Sequence, residues 1–175
     1  FPNHPAVHVG EAAIDAVVRD HIRCHEFGQH GFGVASAGTE FERNATALGT
    51  VVHWAETTAD VNHIVCELAA RYGVRRAVKS KSMVTEECAL NGALEAAGIE
   101  VVETDLGEYI LQLAREPPSH IVAPVLHKTK DEVSDLFEHH HQLPRKTGIA
   151  ELCQEAREIL RPHFISADMG ISGAN

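Results

Sequence analysis

The sequence predicts an α/β fold, a mostly parallel sheet with helices on both faces. From Thr39 onward, short β-branched runs alternate with amphipathic helical patterns. The order strand then helix occurs four times, and right-handed crossovers would make such strands parallel. A chain of 175 residues is long enough to bury one sizeable core. We therefore expect residues 39–175 to form one α/β domain.

The first 38 residues have a different texture and stay unassigned. Apolar residues recur at helical spacing between Gly10 and His25, which predicts a helix there. The run "FGQHGFGVASAG" that follows is rich in glycine, and we expect a linker or loop for it.

The first two predicted strands come before the middle of the chain. "TVVHWA" is the first, and its helix ends at Gly73 because glycine readily adopts the left-handed conformation that ends helices. "RRAVKS" is the second, and we expect its helix to run from an N-cap at about Thr85 to a stop at Gly98.

The last two predicted strands are "IEVVET" and "HIVAPV". Asp105 indicates the N-cap of the helix that follows the third strand. We expect this helix to end before Pro117. Thr129 and Glu132 form a capping-box pattern for the helix after the fourth. A final helix begins near Ile149, and we expect Pro162 to end or kink it.

The loops after these strands are rich in cationic side chains, although the protein carries a net charge of −10. In open parallel sheets, ligands bind beyond the carboxyl ends of the strands, where these loops meet. We therefore predict a binding site for a small carboxylate or phosphate, built from six residues: Lys79, Lys81, Ser82, Thr85, His127 and Lys128.

A plainer interpretation of "KSKSMVTEE" stays open beside this one. Thr85 is a good N-cap, and Glu86 and Glu87 in the first helical turn would complement the helix dipole. Those carboxylates would also compete with a bound anion. The segment is therefore either a capped helix start or a binding loop.

Histidine and cysteine patterns predict no metal site. Neighbouring helical residues point about 100° apart, so His139, His140 and His141 cannot chelate one ion together, and we expect His140 on the buried side. The four cysteines lie far apart, whereas iron–sulfur clusters are mostly held by closely spaced ones. We expect thiols and no cofactor in this chain.

Composition argues against two classes of partner. There is no Lys/Arg stripe with interleaved aromatics for nucleic acid, and no apolar run of about 20 residues for membrane insertion. Without a secretory pattern, we expect a cytoplasmic location. Because the sequence begins without Met and stops at "GISGAN", we also expect it to be part of a longer protein.

From "FERN" to the end, the chain resembles the LUD domain of the lactate-utilisation protein B family. The matching segments include "HWA", "KSKSMVTEE", "LHKTKDEV" and "ADMGISGAN". The resemblance implies a sugar-phosphate-isomerase/CoA-transferase-like α/β fold. It also implies a role in bacterial conversion of L-lactate to pyruvate, with other subunits of the lactate utilisation system as partners. Full-length members add a ferredoxin-like module with two [4Fe–4S] centres, absent here, so we expect the isolated chain to be inactive.

The resemblance also marks residues. The family's polar signature falls on the following positions: Lys79, Lys81, Ser82, Thr85, Glu86, Glu87, His127, Lys128 and Thr129. We expect lactate, pyruvate or a phosphate-like anion as the ligand, and contact with a partner subunit is the alternative role of these positions. Oxidation of a 2-hydroxy acid needs a base, for which His127 and His53 are candidates. Two alternatives remain: a free-standing isomerase or acyl-transferase with Glu86 as base or nucleophile, and a non-catalytic assembly module.

Overall fold

The computed structural model describes residues 15–19, 32–120 and 123–173, with side chains from Thr39 onward. These residues form two compact units divided between Ile64 and Val65. The helices and strands within them, in chain order, are β1 (Asp15–Arg19), α1 (Phe32–Ala47), β2 (Val51–Ala55), α2 (Thr58–Tyr72), β3 (Arg76–Lys79), α3 (Met83–Glu87), α4 (Leu90–Ala96), β4 (Glu100–Glu103), α5 (Leu106–Ala114), α6 (Lys130–His141), α7 (Ile149–Ser166) and β5 (Met169–Ile171).

The first unit contains the parallel pair β1–β2, in which Asp15 lies opposite Val51 and Arg19 opposite Ala55. The prediction of a helix between Gly10 and His25 is therefore wrong for residues 15–19, and its other residues lie outside the described ones. A short β-branched run suits a strand when a partner strand is present. The parallel partner here is distant in sequence, so local periodicity gave the wrong answer.

Helix α1 replaces much of the predicted linker. The run "FGQHGFGVASAG" was expected to be a loop, but the chain is helical from Phe32 onward. Glycine in a helix costs about 1 kcal/mol relative to alanine. The helix contains both Gly33 and Gly38, but also four alanines, the best helix formers. The number of glycines alone therefore did not predict the secondary structure of this segment.

The second unit is built on a three-stranded parallel sheet in the order β4–β3–β5. Arg76 lies opposite Glu100 on one side of β3, and Ala77 lies opposite Met169 on the other. The α/β class with parallel strands is thus confirmed. Strand β5 was not predicted, because three residues are too few to show a pattern. Asp168 fixes its start, since its Oδ2 accepts bonds from the backbone N–H groups of Arg75 and Arg76, both at 3.0 Å.

The predicted strand "HIVAPV" does not form in its described part. Ile121 and Val122 lie outside the described residues, and Pro124–His127 form a turn. The Pro124 carbonyl oxygen accepts bonds from the Ser119 backbone N–H at 3.0 Å and the Ser119 hydroxyl at 2.8 Å. Because proline has no N–H to donate to a strand ladder, Pro124 favours a turn over a strand here.

The helix expected from Thr85 to Gly98 is two short helices, α3 and α4. They are separated by Ala89, whose φ of 49° lies in the left-handed region. The N-cap is Ser82 rather than Thr85: its hydroxyl accepts the Thr85 backbone N–H at 3.3 Å. Gly98, with φ of 81°, follows α4 as predicted.

The two long C-terminal helices largely follow the prediction. Thr129 and Glu132 form the capping box of α6. Helix α7 continues through Pro162 to Ser166, so this proline does not end it. The inward-facing histidine is His141 and not His140, because His141 lies four residues after the buried Phe137 and so shares its face. Its Nε2 lies 2.9 Å from the Tyr109 hydroxyl.

The core of the second unit lies between β4 and the helices α5, α6 and α7. Its buried members are Val102, Tyr109, Ile110, Phe137, Leu152, Ala156 and Leu160. Fully burying one such aliphatic or aromatic side chain contributes about 1.5–3 kcal/mol. This core fixes the sheet and leaves the carboxyl ends of β3 and β4 to the loops described next.

Candidate functional site

A cavity of about 370 Å³ lies beyond the carboxyl ends of β3 and β4. Carboxylates dominate its wall, in contrast to the cationic site that the sequence predicted. The wall residues are the glutamates Glu86, Glu87, Glu95, Glu103, Glu108 and Glu116, the polar residues Lys81, Asn91 and Gln112, and the apolar residues Met83, Leu111, Pro118 and Pro124.

Lys79 ends β3 with a fully buried side chain. Its Nζ donates to Glu86 Oε1 at 2.7 Å, to Thr85 Oγ1 at 3.3 Å, and lies 2.9 Å from Glu103 Oε1. Burial alone would lower the pKa of Lys79, but the hydrogen bonds and charges of the two glutamates outweigh it and raise the pKa. Lys79 is therefore a permanent cation that holds two carboxylates together.

Glu103 ends β4 beside it and is also buried. Its Oε1 accepts from Asn91 Nδ2 at 2.6 Å as well as from Lys79. Its Oε2 has no hydrogen-bond partner among the described residues. Burial raises the pKa of Glu103, against the opposing effect of Asn91 and Lys79. We call Lys79, Thr85, Glu86, Asn91 and Glu103 the inner cluster.

Gln112 positions Glu103 from helix α5. Its Oε1 accepts the Glu103 backbone N–H at 3.0 Å, and its Nε2 donates to the Val101 carbonyl at 2.7 Å. Strand β4 is at the edge of the three-stranded sheet, so these two backbone groups face away from β3. The side-chain amide takes the place of a neighbouring strand. No motif or spacing in the sequence predicts this role of Gln112.

The segment "GISGAN" reaches the same edge of the sheet. The Ser80 hydroxyl donates to Ser172 Oγ at 3.1 Å, and the Ser80 backbone N–H donates to the Ile171 carbonyl at 2.9 Å. A Cβ on Gly173 would lie 2.5 Å from Ser82 Cβ and 3.0 Å from its Cα. Gly173 is thus a close-approach glycine that packs against the N-cap of α3.

Lys81 is the lysine that lines the cavity wall. Its Nζ lies 3.2 Å from Glu108 Oε1, and its backbone N–H donates to Asp105 Oδ2. Asp105 is the N-cap residue of α5, as predicted, but makes no side-chain cap bond. Its carboxylate instead ties the loop after β3 to the loop after β4.

His127 and Lys128 meet at a second carboxylate on the cavity wall. His127 Nε2 lies 2.8 Å from Glu116 Oε2, and Lys128 Nζ donates to Glu116 Oε1. Bonds from Lys128 first, and then from His127, lower the pKa of Glu116. These three residues form what we call the rim cluster, in which Lys128 is mostly covered. The rim cluster has no fully buried pair such as Lys79–Glu103, although Glu86 of the inner cluster is exposed as well.

The structure therefore gathers most of the predicted residues around one cavity. Lys79, Lys81, Ser82 and Thr85 lie in or beside the loop after β3, and His127 and Lys128 reach the cavity through Glu116. The helix start in "KSKSMVTEE" is capped by Ser82. The four basic residues predicted for the site each contact a carboxylate. His53 is half-buried on β2, in the other unit. Ligand binding by these residues stays a prediction.

Three further features of the described residues bear on their chemistry. In that part of the chain, no three His, Cys, Asp or Glu side chains are arranged to hold a metal ion. Cys66, Cys88 and Cys153 are thiols, and Cys24 lies outside the described residues. None of the helices described is both long enough and apolar enough to span a bilayer.

Comparison with known proteins points to one family. A family model described as LUD domain matches residues 38–175. Similar proteins include Lactate utilization protein B of Shouchella clausii, 46% identical over 137 residues, and its namesake in Bacillus subtilis, 44% identical over 137 residues. Each alignment covers 78% of this chain and 29% of the relative. The chain thus spans under a third of these curated relatives. No solved structure matches it significantly.

Proposed function

Because the chain belongs to the LUD domain family and its relatives are named for lactate utilization, we propose that it supplies the ligand-binding domain of a lactate utilisation protein. Its cavity would bind a small anion such as lactate or pyruvate, or a phosphate-like one. Conversion of L-lactate to pyruvate, with electrons passed to [4Fe–4S] centres and to partner subunits, is proposed for the longer parent protein, in the cytoplasm.

The observation that supports the proposal is that basic side chains from separate loops meet carboxylates on the wall of one cavity. Lys81 comes from the loop after β3, whereas His127 and Lys128 come from the turn region before α6. Their carboxylate partners, Glu108 and Glu116, line the same cavity. Parallel sheets commonly bind ligands at this edge.

An anion would bind here by exchange. The carboxylate of a ligand resembles the carboxylate of Glu108 or Glu116, so it can replace either as the partner of Lys81 or Lys128. Each of these ion pairs has one partner that is more than a third exposed, Lys81 in the first and Glu116 in the second. Water can hydrate that partner when the pair opens. The proposed ligand therefore competes with side chains that already occupy the lysines.

One of the two predicted bases, His127, belongs to this proposal. Oxidation of a 2-hydroxy acid requires removal of the hydroxyl proton. Glu116, on the cavity wall, orients the His127 ring through its Nε2. The reaction also requires an electron acceptor, which we assign to the iron–sulfur centres of the parent protein. We propose ligand binding, and no turnover, for the isolated chain.

Calorimetric titration of the chain with L-lactate, pyruvate and inorganic phosphate tests this function. We expect at least one to bind, and Lys81→Met to weaken that binding about tenfold, which corresponds to ~1.4 kcal/mol. Lys130→Met is the matched control, because Lys130 is exposed, pairs with Asp131 and lies off the cavity wall. Equal losses in both variants, or no heat with any ligand, would contradict the proposal.

The charge pairing also favours a second candidate, the non-catalytic assembly module. All four predicted cations are engaged by carboxylates within the chain, as expected where charges serve to hold loops together. Under this alternative, none of the three anions binds, and Lys81→Met lowers stability without any change in ligand response.

A further inference from the structure

The inner cluster contains two hydrogen-bond acceptors that the described residues leave unused. Glu103 Oε2 and Asn91 Oδ1 are both buried and without a partner there. The same two side chains are joined through their other polar atoms, by the 2.6 Å hydrogen bond from Asn91 Nδ2 to Glu103 Oε1. A buried acceptor without a donor costs about 1–3 kcal/mol, so a pair of them is unusual unless a donor can arrive from elsewhere.

Both side chains line the cavity. The Glu103 side chain is only 4% exposed, and Lys79 cannot serve its second oxygen, since the three donors of its Nζ already reach Thr85, Glu86 and Glu103 Oε1. The terminal torsion of a glutamate is broad and roughly two-fold, so a small rotation can turn Oε2 toward a bound group.

The charge of the wall selects the kind of donor. Six glutamates and one lysine line the cavity. Charges of mainly one sign in a concave surface concentrate ions of the opposite sign, so an anion binds here only where it replaces a carboxylate partner of Lys81 or Lys128. A donor that enters this cavity is therefore favoured if it is positively charged.

The geometry favours an ammonium over a guanidinium group. A guanidinium matches both oxygens of one carboxylate with a planar fork, but Glu103 Oε1 is already used twice. An ammonium is a compact charge with three donors, which can bond to acceptors on two different side chains. The apolar wall residues Met83, Leu111, Pro118 and Pro124 suit an alkyl chain attached to it.

We propose that Glu103 and Asn91 bind the primary ammonium group of a small alkylamine in this cavity. This site is distinct in chemistry from the proposed anion site, which uses Lys81 and the rim cluster. The two can be occupied by separate molecules or by one ligand that carries both charges.

Calorimetric titration with n-butylammonium tests the proposal, with tetramethylammonium, n-butanol and Mg²⁺ as comparison probes at one ionic strength. Tetramethylammonium has the charge without N–H donors, and n-butanol has a donor without the charge. We expect n-butylammonium to bind at least about tenfold more tightly than each of the other three probes. No heat with n-butylammonium, or equal binding of tetramethylammonium or Mg²⁺, would overturn the site.

Three variants locate the binding. Glu103→Gln removes the charge at nearly constant size, and Asn91→Leu removes the second acceptor while leaving the Lys79–Glu103 ion pair in place. Both should weaken n-butylammonium binding at least about tenfold. Glu100→Gln, which removes an exposed charge on β4 that does not line the cavity, is the control and should leave it nearly unchanged.

The outcomes remain decisive if one variant fails to fold. Should Glu103→Gln unfold, Asn91→Leu alone decides, because it leaves the partners of Lys79 intact. An equal loss of affinity in Glu100→Gln would show general attraction by negative charge and reject the specific site. Lactate binding is measured separately on the same proteins, so a failure of the amine site and a failure of the anion site give different results.

Discussion

The inner and rim clusters use the same chemistry at two depths. In each, one residue bridges two partners: Lys79 between Glu86 and Glu103 inside, and Glu116 between His127 and Lys128 at the rim. Lys79 and Glu103 are both buried, whereas the side chains of Glu86 and Glu116 are exposed. Water screens the pairs made by Glu86 and Glu116, but Lys79 and Glu103 depend on each other. Similar ion-pair distances therefore mean different energies.

The two glutamates at these depths also titrate in opposite directions. Burial raises the pKa of Glu103 above its ordinary value of 4.5, so ionised Glu103 costs stability as the pH rises through the range above 4.5. Lys128 and His127 lower the pKa of Glu116, so ionised Glu116 adds stability that is lost as the pH falls below 4.5. The direction of the pKa shift therefore differs between the buried and the exposed glutamate.

The largest expected effect comes from removing the buried cation. Lys79→Met leaves the buried Glu103 carboxylate without its counter-ion, and breaking a buried pair in this way costs about 3–5 kcal/mol. Urea denaturation at neutral pH would measure this as a lower free energy of unfolding. The loss should shrink at acidic pH, because Glu103 then takes up a proton.

The control for this prediction is the double variant Lys79→Met with Glu103→Gln. It removes both buried charges, so it should recover part of the lost stability. Replacement of a buried pair by neutral groups is often close to neutral. If the double variant were as unstable as the sum of the two single variants, the inner cluster would not act as one unit, and its contrast with the rim would fail.

A smaller effect is expected where the chain packs most closely against the inner cluster. Gly173→Ala places a Cβ 3.0 Å from the Ser82 Cα and should displace the N-cap of α3, which carries Glu86. Overpacking of this kind costs about 1–3 kcal/mol. Gly170→Ala is the matched control in β5, because its Cβ would meet nothing within 4 Å. Equal melting temperatures for the two variants would contradict the close contact.

The sequence predicted those parts of the fold that depend on local pattern. The capping box of Thr129 and Glu132 and the stop at Gly98 are set by residues a few positions apart, and both are confirmed. Strand β1 depends on a parallel partner over 30 residues away, and periodicity pointed to a helix there. The break at Ala89 has no sequence signal either, since alanine normally favours helix.

The candidate site likewise contains residues that the sequence predicted and residues that it did not. The lysines of "KSKS" and the pair His127–Lys128 follow strand ends or turns, so their gathering could be predicted from the rules of parallel sheets. Their carboxylate partners could not. Glu103 lies in the strand "EVVE", where Glu100 is exposed and Glu103 is buried, and Gln112 lies in an ordinary amphipathic helix. Only the packed structure shows that these residues face the cavity.

The smallest expected effect is at the rim. Glu116→Gln removes the shared partner of Lys128 and His127, yet its stability should change far less than that of Lys79→Met, because both partners of this exposed carboxylate can be hydrated instead. Thermal melting should show a difference from the unmodified protein above pH 4.5 that disappears as the pH falls through the lowered pKa of Glu116.

Salt separates this behaviour from that of the inner cluster. At about 1 M ionic strength the screening length is ~3 Å, so the effect of Glu116→Gln should nearly vanish while that of Lys79→Met persists. Glu100→Gln, an exposed glutamate on β4, is the control for a general change in net charge. A loss in Glu116→Gln that resisted salt would mean that the rim carboxylate is held as tightly as the inner one. Exchange of a ligand anion for Glu116 would then be too costly for the proposed binding.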